Sequence, residues 1–150
     1  MDDRNAHLKN ANKLIAEEIG AIQKKSKIYE SVPWGVENQN NYLNQVLEIK
    51  SEFSAEEVLG KVLQIEDKIG RIRSEKWGER IIDIDILLFN DLIVEKEGIC
   101  IPHIHLYERM FVLTPLYEIA PDFVHPKYNK TIGELLSECK DIESVEEYAV

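Results

Sequence analysis

Gly70 to Phe89 reads GRIRSEKWGERIIDIDILLF and carries the most informative pattern in this 150-residue chain. Its second half, Ile81 to Phe89, is rich in isoleucine and leucine and is long enough for a central β-strand. Because side chains alternate between the faces of a strand, we expect Asp83 and Asp85 to point the same way, with Cα atoms roughly 6.5–7 Å apart. Ile82, Ile84 and Ile86 then point the other way, into a core. The segment predicts a strand that presents two carboxylates on one face.

Two neighbouring carboxylates beside apolar residues repel each other and lose hydration, so a cation must compensate. The chain has 13 lysines but only five arginines, and three of those five, Arg71, Arg73 and Arg80, lie just upstream. Arginine is the residue for bidentate phosphate contacts. Mg²⁺ is the second candidate, since it takes carboxylate oxygens and keeps substrate phosphates as ligands. A buried network of aspartates and arginines that only holds the sheet is the alternative, but the clustered arginines favour a phosphoryl-transfer site.

Length and composition are those of one domain, residues 1–150, with room for a normal core. The formal charge of −10 argues against a general binder of nucleic acid or anionic membranes. Cys100 and Cys139 have no metal-ligand spacing and indicate no disulfide framework. The sequence shows no signal peptide and no apolar run long enough to cross a membrane. We therefore expect a reduced, cytoplasmic setting.

Hydrophobic periodicity and capping signals predict the elements before the aspartates. We expect the following: a helix over residues 2–24, a strand over Lys27–Glu30, a polar loop that carries Trp34, a strand over Tyr42–Lys50, and a helix from the Ser54–Glu57 capping box to Gly70. Trp34 either belongs to a lid over a ligand or folds back on the core. Glu66, on the second helix, either orients an arginine or lies on a solvated face.

After the aspartates, the sequence predicts a hairpin and C-terminal helices. We expect a turn at Asn90–Asp91, a returning strand over Leu92–Glu95, a helix over Phe111–Ile119, a capping box at Thr131 and an edge strand in the last ten residues. The class is α+β. With a strand added upstream, the order becomes βαββαβ, the ferredoxin-like sandwich.

Taken together, the motifs closely resemble those of the 6-hydroxymethyl-7,8-dihydropterin pyrophosphokinase family of folate biosynthesis. The matching residues are Ser31-x-Pro33-x-Gly35, Gln39-x-x-Tyr42-Leu43-Asn44, Gly70-Arg71-x-Arg73, Trp77-Gly78-x-Arg80-x-x-Asp83-x-Asp85, and Pro102-His103 with Arg109-x-Phe111-Val112-Leu113. The resemblance implies transfer of a pyrophosphoryl group from ATP to the hydroxymethyl group of the reduced pterin, with release of AMP.

The resemblance also implies roles for individual residues. Asp83 and Asp85 would bind two Mg²⁺ ions that bridge the ATP phosphates, which agrees with the shared-face argument. Arg73, Arg80 and Arg109 would contact the ATP phosphates, with Arg71 as a catalytic residue on the same loop. His103 would donate to a phosphate oxygen, and adenine would lie against Ile86 and the backbone near Ile99 and Cys100. The pterin would stack between Tyr42 and Phe111, pair with the Asn44 amide, and meet the backbone of Ser31 and Pro33. Trp34 and Trp77 would lie on two loops that close over the substrates.

Two other functions stay open at the level of sequence. One is a pyrophosphokinase-like domain that has lost activity and serves as a binding module. The other is a different Mg²⁺-dependent phosphoryl or nucleotidyl transferase that uses the same carboxylates. The intact Asp pair, the arginines and Asn44 favour the active pterin enzyme over both.

The family's first helix follows a β-strand and a Gly-Ser-Asn turn, whereas Met1-Asp2-Asp3-Arg4 resembles the end of that turn. We expect the first strand to be missing from this chain and the natural product to begin upstream of Met1. With that strand present, we expect a monomer.

Overall fold

The computed structural model describes residues 4–31, 42–73, 82–141 and 145–148. Helices and strands are mixed, so the class is α+β as predicted. The elements are α1 (Arg4–Glu18), β1 (Ala21–Lys25), β2 (Tyr29–Ser31), β3 (Tyr42–Asn44), β4 (Leu47–Lys50), α2 (Ala55–Arg73), β5 (Val94–Lys96), β6 (Ile99–Ile101), a 3₁₀ turn (Leu106–Glu108), α3 (Met110–Ile119), α4 (Ile132–Glu138) and β7 (Val145–Glu147). Within the described ranges, no helix combines the length and apolar character needed to cross a membrane.

The chain divides into two compact units, residues 1–23 with 49–86, and residues 24–48 with 87–150. In the first unit, α1 and α2 pack against each other. The core is the apolar stripe expected from helical spacing, and its buried members are Ala11, Ile15, Ile19, Val58, Val62, Ile65 and Ile69. An ion pair between Lys68 Nζ and Glu18 Oε2, 2.7 Å long, joins the two helices at their surface.

The first helix is shorter than predicted. It ends at Glu18, and residues 21–25 form β1 instead of continuing the helix to residue 24. The amides of Ile19 and Gly20 both donate to the Ile15 carbonyl, at 2.9 and 3.2 Å, and Ser51 Oγ donates to the Ile19 carbonyl at 2.7 Å. These contacts satisfy the carbonyls that a continuing helix would use.

The second helix begins at the predicted capping box. The Ser54 amide donates to Glu57 Oε1 at 2.9 Å, and the Glu57 amide donates to Ser54 Oγ at 3.2 Å. Hydrogen bonds from the Ser54 amide and from the Ser54 side chain to the Glu57 carboxylate lower the pKa of Glu57, because they favour its charged form. The predicted end at Gly70 is wrong, since Gly70 is helical and α2 continues to Arg73.

The predicted strand over Tyr42–Lys50 divides in two, and its halves belong to different sheets. β3 pairs antiparallel with β2, which also pairs with β7, whereas β4 pairs with β1. The break coincides with Ser26, which is 3% exposed: its Oγ accepts from the Val46 amide at 2.9 Å, and its own amide donates to the Val46 carbonyl. The amide and the carbonyl of Val46 are therefore both hydrogen-bonded to Ser26, whereas in a continuous strand they would pair with a neighbouring strand.

The second unit is built around α3 and α4, which pack together. Its buried cluster consists of Leu106, Leu113, Leu116, Ile132 and Leu135. The predicted capping box at Thr131 is confirmed, with both reciprocal bonds to Glu134 present. The Asn90–Asp91 turn is also confirmed, but β5 begins at Val94 and pairs with β6 around Gly98, whose φ is 87°.

The predicted strand over Ile81–Phe89 is wrong in the part that the structure describes, because residues 82–89 belong to no strand. A strand needs a neighbouring ladder, and this segment makes other contacts. The Ile84 amide donates to a helix side chain, Glu66 Oε2, at 2.6 Å. Further along, the Leu87 carbonyl accepts from the His103 amide at 2.9 Å.

Candidate active site

In the first unit, the segment that carries the two aspartates keeps the predicted alternation. Asp83 and Asp85 are exposed, whereas Ile82, Ile84 and Ile86 are half-buried. Two carboxylates are thus presented to solvent, two residues apart, by a segment whose isoleucines are turned inward. The exposed and half-buried positions alternate although the strand does not form, because burial of the apolar side chains is still favourable.

Glu66 holds this segment from α2. Its Oε2 accepts from the Ile84 amide at 2.6 Å, a short bond of the charge-assisted kind. The sequence predicted an arginine partner or a solvated face for Glu66, and it gave no sign of a backbone amide. Eighteen residues separate the two groups, and no local spacing rule connects a helix carboxylate to a later amide.

The expected arginines of the first unit are described only in part. Arg71 and Arg73 belong to the last turn of α2, in the same unit as the aspartates. Arg80 and Trp77 lie outside the described residues, as do Pro33 and Trp34 of the earlier loop.

In the second unit, the expected pterin residues begin on the ladder between β2 and β3. Ser31 is opposite Tyr42, and Asn44, which is half-buried, is opposite Tyr29. The backbone pairing therefore places Ser31 and Tyr42 opposite each other on neighbouring strands, and their contacts with a pterin stay a prediction. It also makes the position of Asn44 depend on β2.

A carboxylate on α3 anchors β2. Glu118 Oε1 accepts from the Tyr29 hydroxyl at 2.7 Å, and both Glu118 oxygens accept from the Lys27 amide at 3.1 Å. The hydrogen bond from the Tyr29 hydroxyl to Glu118, together with burial, raises the pKa of Tyr29 to about 12. Sequence reasoning missed Glu118, because 89 residues separate it from Tyr29.

Arg109 and Phe111 meet at the start of α3. The Arg109 guanidinium carbon lies 5.4 Å from the centroid of the Phe111 ring, within cation–π range. Arg109 is exposed and Phe111 is half-buried. The next amide, that of Met110, donates to Asp141 Oδ2 at 2.9 Å. An exposed guanidinium held against an aromatic ring suits an anion on one side and a flat heterocycle on the other.

His103 follows β6, with Ile99 and Cys100 half-buried on that strand. Its amide is fixed to the Leu87 carbonyl, and its Nδ1 accepts from the His105 amide at 3.2 Å. An accepting Nδ1 means that the proton of a neutral imidazole is on Nε2. The ring can therefore donate a hydrogen bond through Nε2, as contact with a phosphate oxygen would require.

A small cavity lies between this strand and the turn at residues 125–128. It is lined by Cys100, Ile101, Pro102, His103, His125 and Tyr128, among others, and its volume is about 30 Å³. A cavity of this size suits water rather than a nucleotide base. The expected adenine contact near Ile99 and Cys100 stays a prediction.

Comparison with known proteins gives one consistent result. Residues 1–121 match the family model described as 7,8-dihydro-6-hydroxymethylpterin-pyrophosphokinase. A 2-amino-4-hydroxy-6-hydroxymethyldihydropteridine pyrophosphokinase of Aquifex aeolicus is 44% identical over 122 residues, which cover 81% of this chain and 76% of the relative. The protein of the same name from Bacillus subtilis is 43% identical over 79% of this chain and 71% of its own length. The folic acid synthesis protein FOL1 of Dictyostelium discoideum is 37% identical over 76% of this chain, which is 17% of that relative.

Proposed function

Because this chain belongs to the 7,8-dihydro-6-hydroxymethylpterin-pyrophosphokinase family, we propose that it transfers the pyrophosphoryl group of ATP to 6-hydroxymethyl-7,8-dihydropterin in folate biosynthesis. The hydroxymethyl oxygen loses its proton to solvent and bonds to the β-phosphorus, the bond from that phosphorus to the oxygen bridging the α-phosphate breaks, and AMP leaves. The observation that carries this proposal is the match over residues 1–121, which spans the aspartates, Asn44 and Arg109. It favours the active enzyme over a binding module.

The aspartates fit a magnesium site by the chemistry of their donors. Asp83 and Asp85 present exposed carboxylates two residues apart, and Mg²⁺ is commonly held by one or two carboxylates with water and substrate phosphates as its other ligands. We propose that this pair holds two ions. When bound, they would neutralise charge on the phosphate oxygens during transfer.

The basic residues position ATP in this proposal. Arg73 and Arg80, which precede the aspartates in sequence, contact the phosphates together with Arg109. Arg71, two residues before Arg73, completes the catalytic set. The His103 Nε2–H donates to a phosphate oxygen, which the accepting Nδ1 supports. Adenine lies against Ile86 and the backbone of Ile99 and Cys100. Positioning of this kind supplies most of the catalysis that a protein can offer to phosphoryl transfer.

The pterin occupies a flat site. Phe111 and Tyr42 stack on its faces, and the Asn44 amide pairs with its edge, because an amide supplies both a donor and an acceptor. Backbone groups of Ser31 and Pro33 add contacts. Trp34 and Trp77 close over the substrates and exclude water, which protects ATP from hydrolysis.

The finer structural expectations belong to the same proposal. They are a ferredoxin-like arrangement of the sheet, a single domain over residues 1–150, a monomeric state and a cytoplasmic location. The α+β class and the family membership support the arrangement.

Replacing the aspartates tests the proposal. Asp83→Asn and Asp85→Asn should each lower kcat by orders of magnitude while circular dichroism and melting temperature stay close to the original, because removing one charge relieves repulsion in the unliganded segment. Asp122→Asn, an exposed aspartate outside the family match, is the matched control. Unfolding of either site variant with unchanged turnover per folded molecule would show that the pair is structural.

A further inference from the structure

One backbone amide connects the two aspartates to α2. The peptide unit that joins Asp83 to Ile84 donates its N–H to Glu66 Oε2, 2.6 Å away in a partly buried position. The acceptor is a carboxylate, and hydrogen bonds to ionised acceptors are shorter and about twice as strong as neutral ones. A single side chain on a helix therefore holds the backbone at the point midway between the two exposed carboxylates.

The helix that supplies Glu66 is firmly placed. The residues on its buried face next to Glu66 are almost fully enclosed, with Val62 at 3%, Ile65 at 0% and Ile69 at 1% exposure. Rotating or shifting α2 would bring these side chains into water, at a cost of about 25 cal/mol for each Å² exposed. The Glu66 carboxylate is therefore a fixed reference point for the segment that it contacts.

Strand pairing does not constrain the described part of the aspartate segment. In the described part of the chain, residues 82–89 belong to no strand, so ladder pairing does not set their register. A shift by one residue would exchange the two sides of an alternating segment. Asp83 and Asp85 would turn toward the half-buried side and the isoleucines would turn outward.

We propose that Glu66 is a positioning residue, which selects the Ile84 amide and thereby keeps both aspartate side chains on the exposed side of the segment. The proposal rests on the proposed function only in assigning Asp83 and Asp85 to the phosphates. Glu66 touches no substrate in this account. It acts through the backbone that carries the two aspartates.

Three substitutions separate this role from a contribution of charge. Glu66→Gln removes the charge but keeps an oxygen acceptor at the same reach. Glu66→Asp keeps the charge but withdraws the acceptor by one methylene. Glu66→Leu removes both. Asp67→Asn, an exposed position next along α2, is the control.

The first measurement is hydrogen exchange of the Ile84 amide by NMR, in the folded protein without ligands. We expect exchange to be faster by about 10- to 100-fold in Glu66→Leu and Glu66→Asp, as loss of a bond to a charged group implies. Glu66→Gln should lie within about fivefold of the original, because a neutral acceptor remains. Asp67→Asn should match the original protein.

The second measurement is kcat as a function of Mg²⁺ concentration. If Glu66 positions the segment, Glu66→Gln should retain most of the turnover of the original protein. Glu66→Asp and Glu66→Leu should lower kcat by about 10-fold or more and should require a higher Mg²⁺ concentration for half-maximal activity. The opposite order, with Glu66→Asp active and Glu66→Gln impaired, would overturn the proposal in favour of charge. Faster Ile84 exchange with unchanged kcat would overturn it as well. Should Asp83→Asn prove fully active, the proposed site would fail, while the exchange measurements would still report whether Glu66 holds Ile84.

Discussion

Gly20→Ala tests the close approach between the residues that follow α1 and the end of β4. A Cβ at this position would lie 2.2 Å from the Lys50 carbonyl oxygen and 2.9 Å from its carbon. Both are backbone atoms, so no side-chain rotation relieves the clash. One of the two segments must move.

The size of the effect follows from what this movement disturbs. Overpacking of a well-packed site costs about 1–3 kcal/mol. The neighbouring bond from Ser51 Oγ to the Ile19 carbonyl, 2.7 Å long, spans the same two segments and contributes about 0.5–1.5 kcal/mol. We expect a loss of about 2–4 kcal/mol in the free energy of unfolding. For a chain of this length, the melting temperature should fall by roughly 4–16 °C.

Urea unfolding followed by circular dichroism, together with thermal melting, measures this loss. Gly60→Ala is the matched control, because Gly60 is an exposed position inside α2 where a Cβ would meet no described atom within 4 Å. That variant should be more stable by about 0.5–1 kcal/mol, since alanine restricts the unfolded chain. A Gly20→Ala variant that melts with or above the original protein would refute the close approach.

Three further predictions concern the second unit. Asn44→Ala should weaken pterin binding by about 5- to 150-fold and leave ATP binding nearly unchanged, because the polar edge of the heterocycle would be left without its hydrogen-bond partner. Separate calorimetric titrations of the two ligands check this, and equal losses for both would make Asn44 a strand residue only. Thr131→Ala should lower the free energy of unfolding by about 1 kcal/mol through loss of the α4 cap, whereas Thr131→Ser should retain most of it; equal melting of all three proteins would contradict the capping role. His125 is 2% exposed, and its pKa is lowered first by burial and then by the charge of Lys127. As the pH falls through about 6.5, His125 therefore takes up a proton more readily in the unfolded chain than in the folded chain. The stability that His125 contributes should be complete above about pH 6.5 and should decline as the pH falls toward the lower pKa of the folded state. Urea unfolding across this pH range should show a smaller loss of stability in His125→Asn than in the original protein. Parallel curves of stability against pH for the two proteins would contradict this role of His125.

Local signals in the sequence predicted the helices well. The capping boxes at Ser54 and Thr131 are both formed as expected, and the apolar stripes of α1 and α2 are buried. These features depend on residues three or four apart, which a linear sequence displays directly. The end of α2 was placed too early, because Gly70 can end a helix but does not have to.

The strands were harder, because pairing depends on distant partners. The run over residues 42–50 has strand composition throughout, yet buried Ser26 divides it by taking the backbone of Val46. The run at residues 82–89 also has strand composition, and its contacts go to Glu66 and His103 instead of a ladder. β-propensity reports how well side chains suit a half-buried surface. Residues 82–89 line such a surface without pairing with another strand.

The part of the candidate site that depends on the types and order of neighbouring residues could be predicted from the sequence. The alternation around Asp83 and Asp85 follows from burial of the isoleucines, so it survives the loss of the strand. Glu66 and Glu118, in contrast, act on groups 18 and 89 residues away. No spacing rule reaches that far, and only the folded chain shows which amide or hydroxyl each carboxylate holds.

Product analysis tests the central claim most directly. The protein is incubated with Mg²⁺, 6-hydroxymethyl-7,8-dihydropterin and ATP labelled separately at the β- and γ-phosphates, with Asp83→Asn as the inactive control. The account predicts AMP as the nucleotide product and both labels on the pterin. Formation of ADP with only the γ label transferred would indicate an ordinary kinase, and the absence of any nucleotide product would indicate a binding module, so either result would contradict the account.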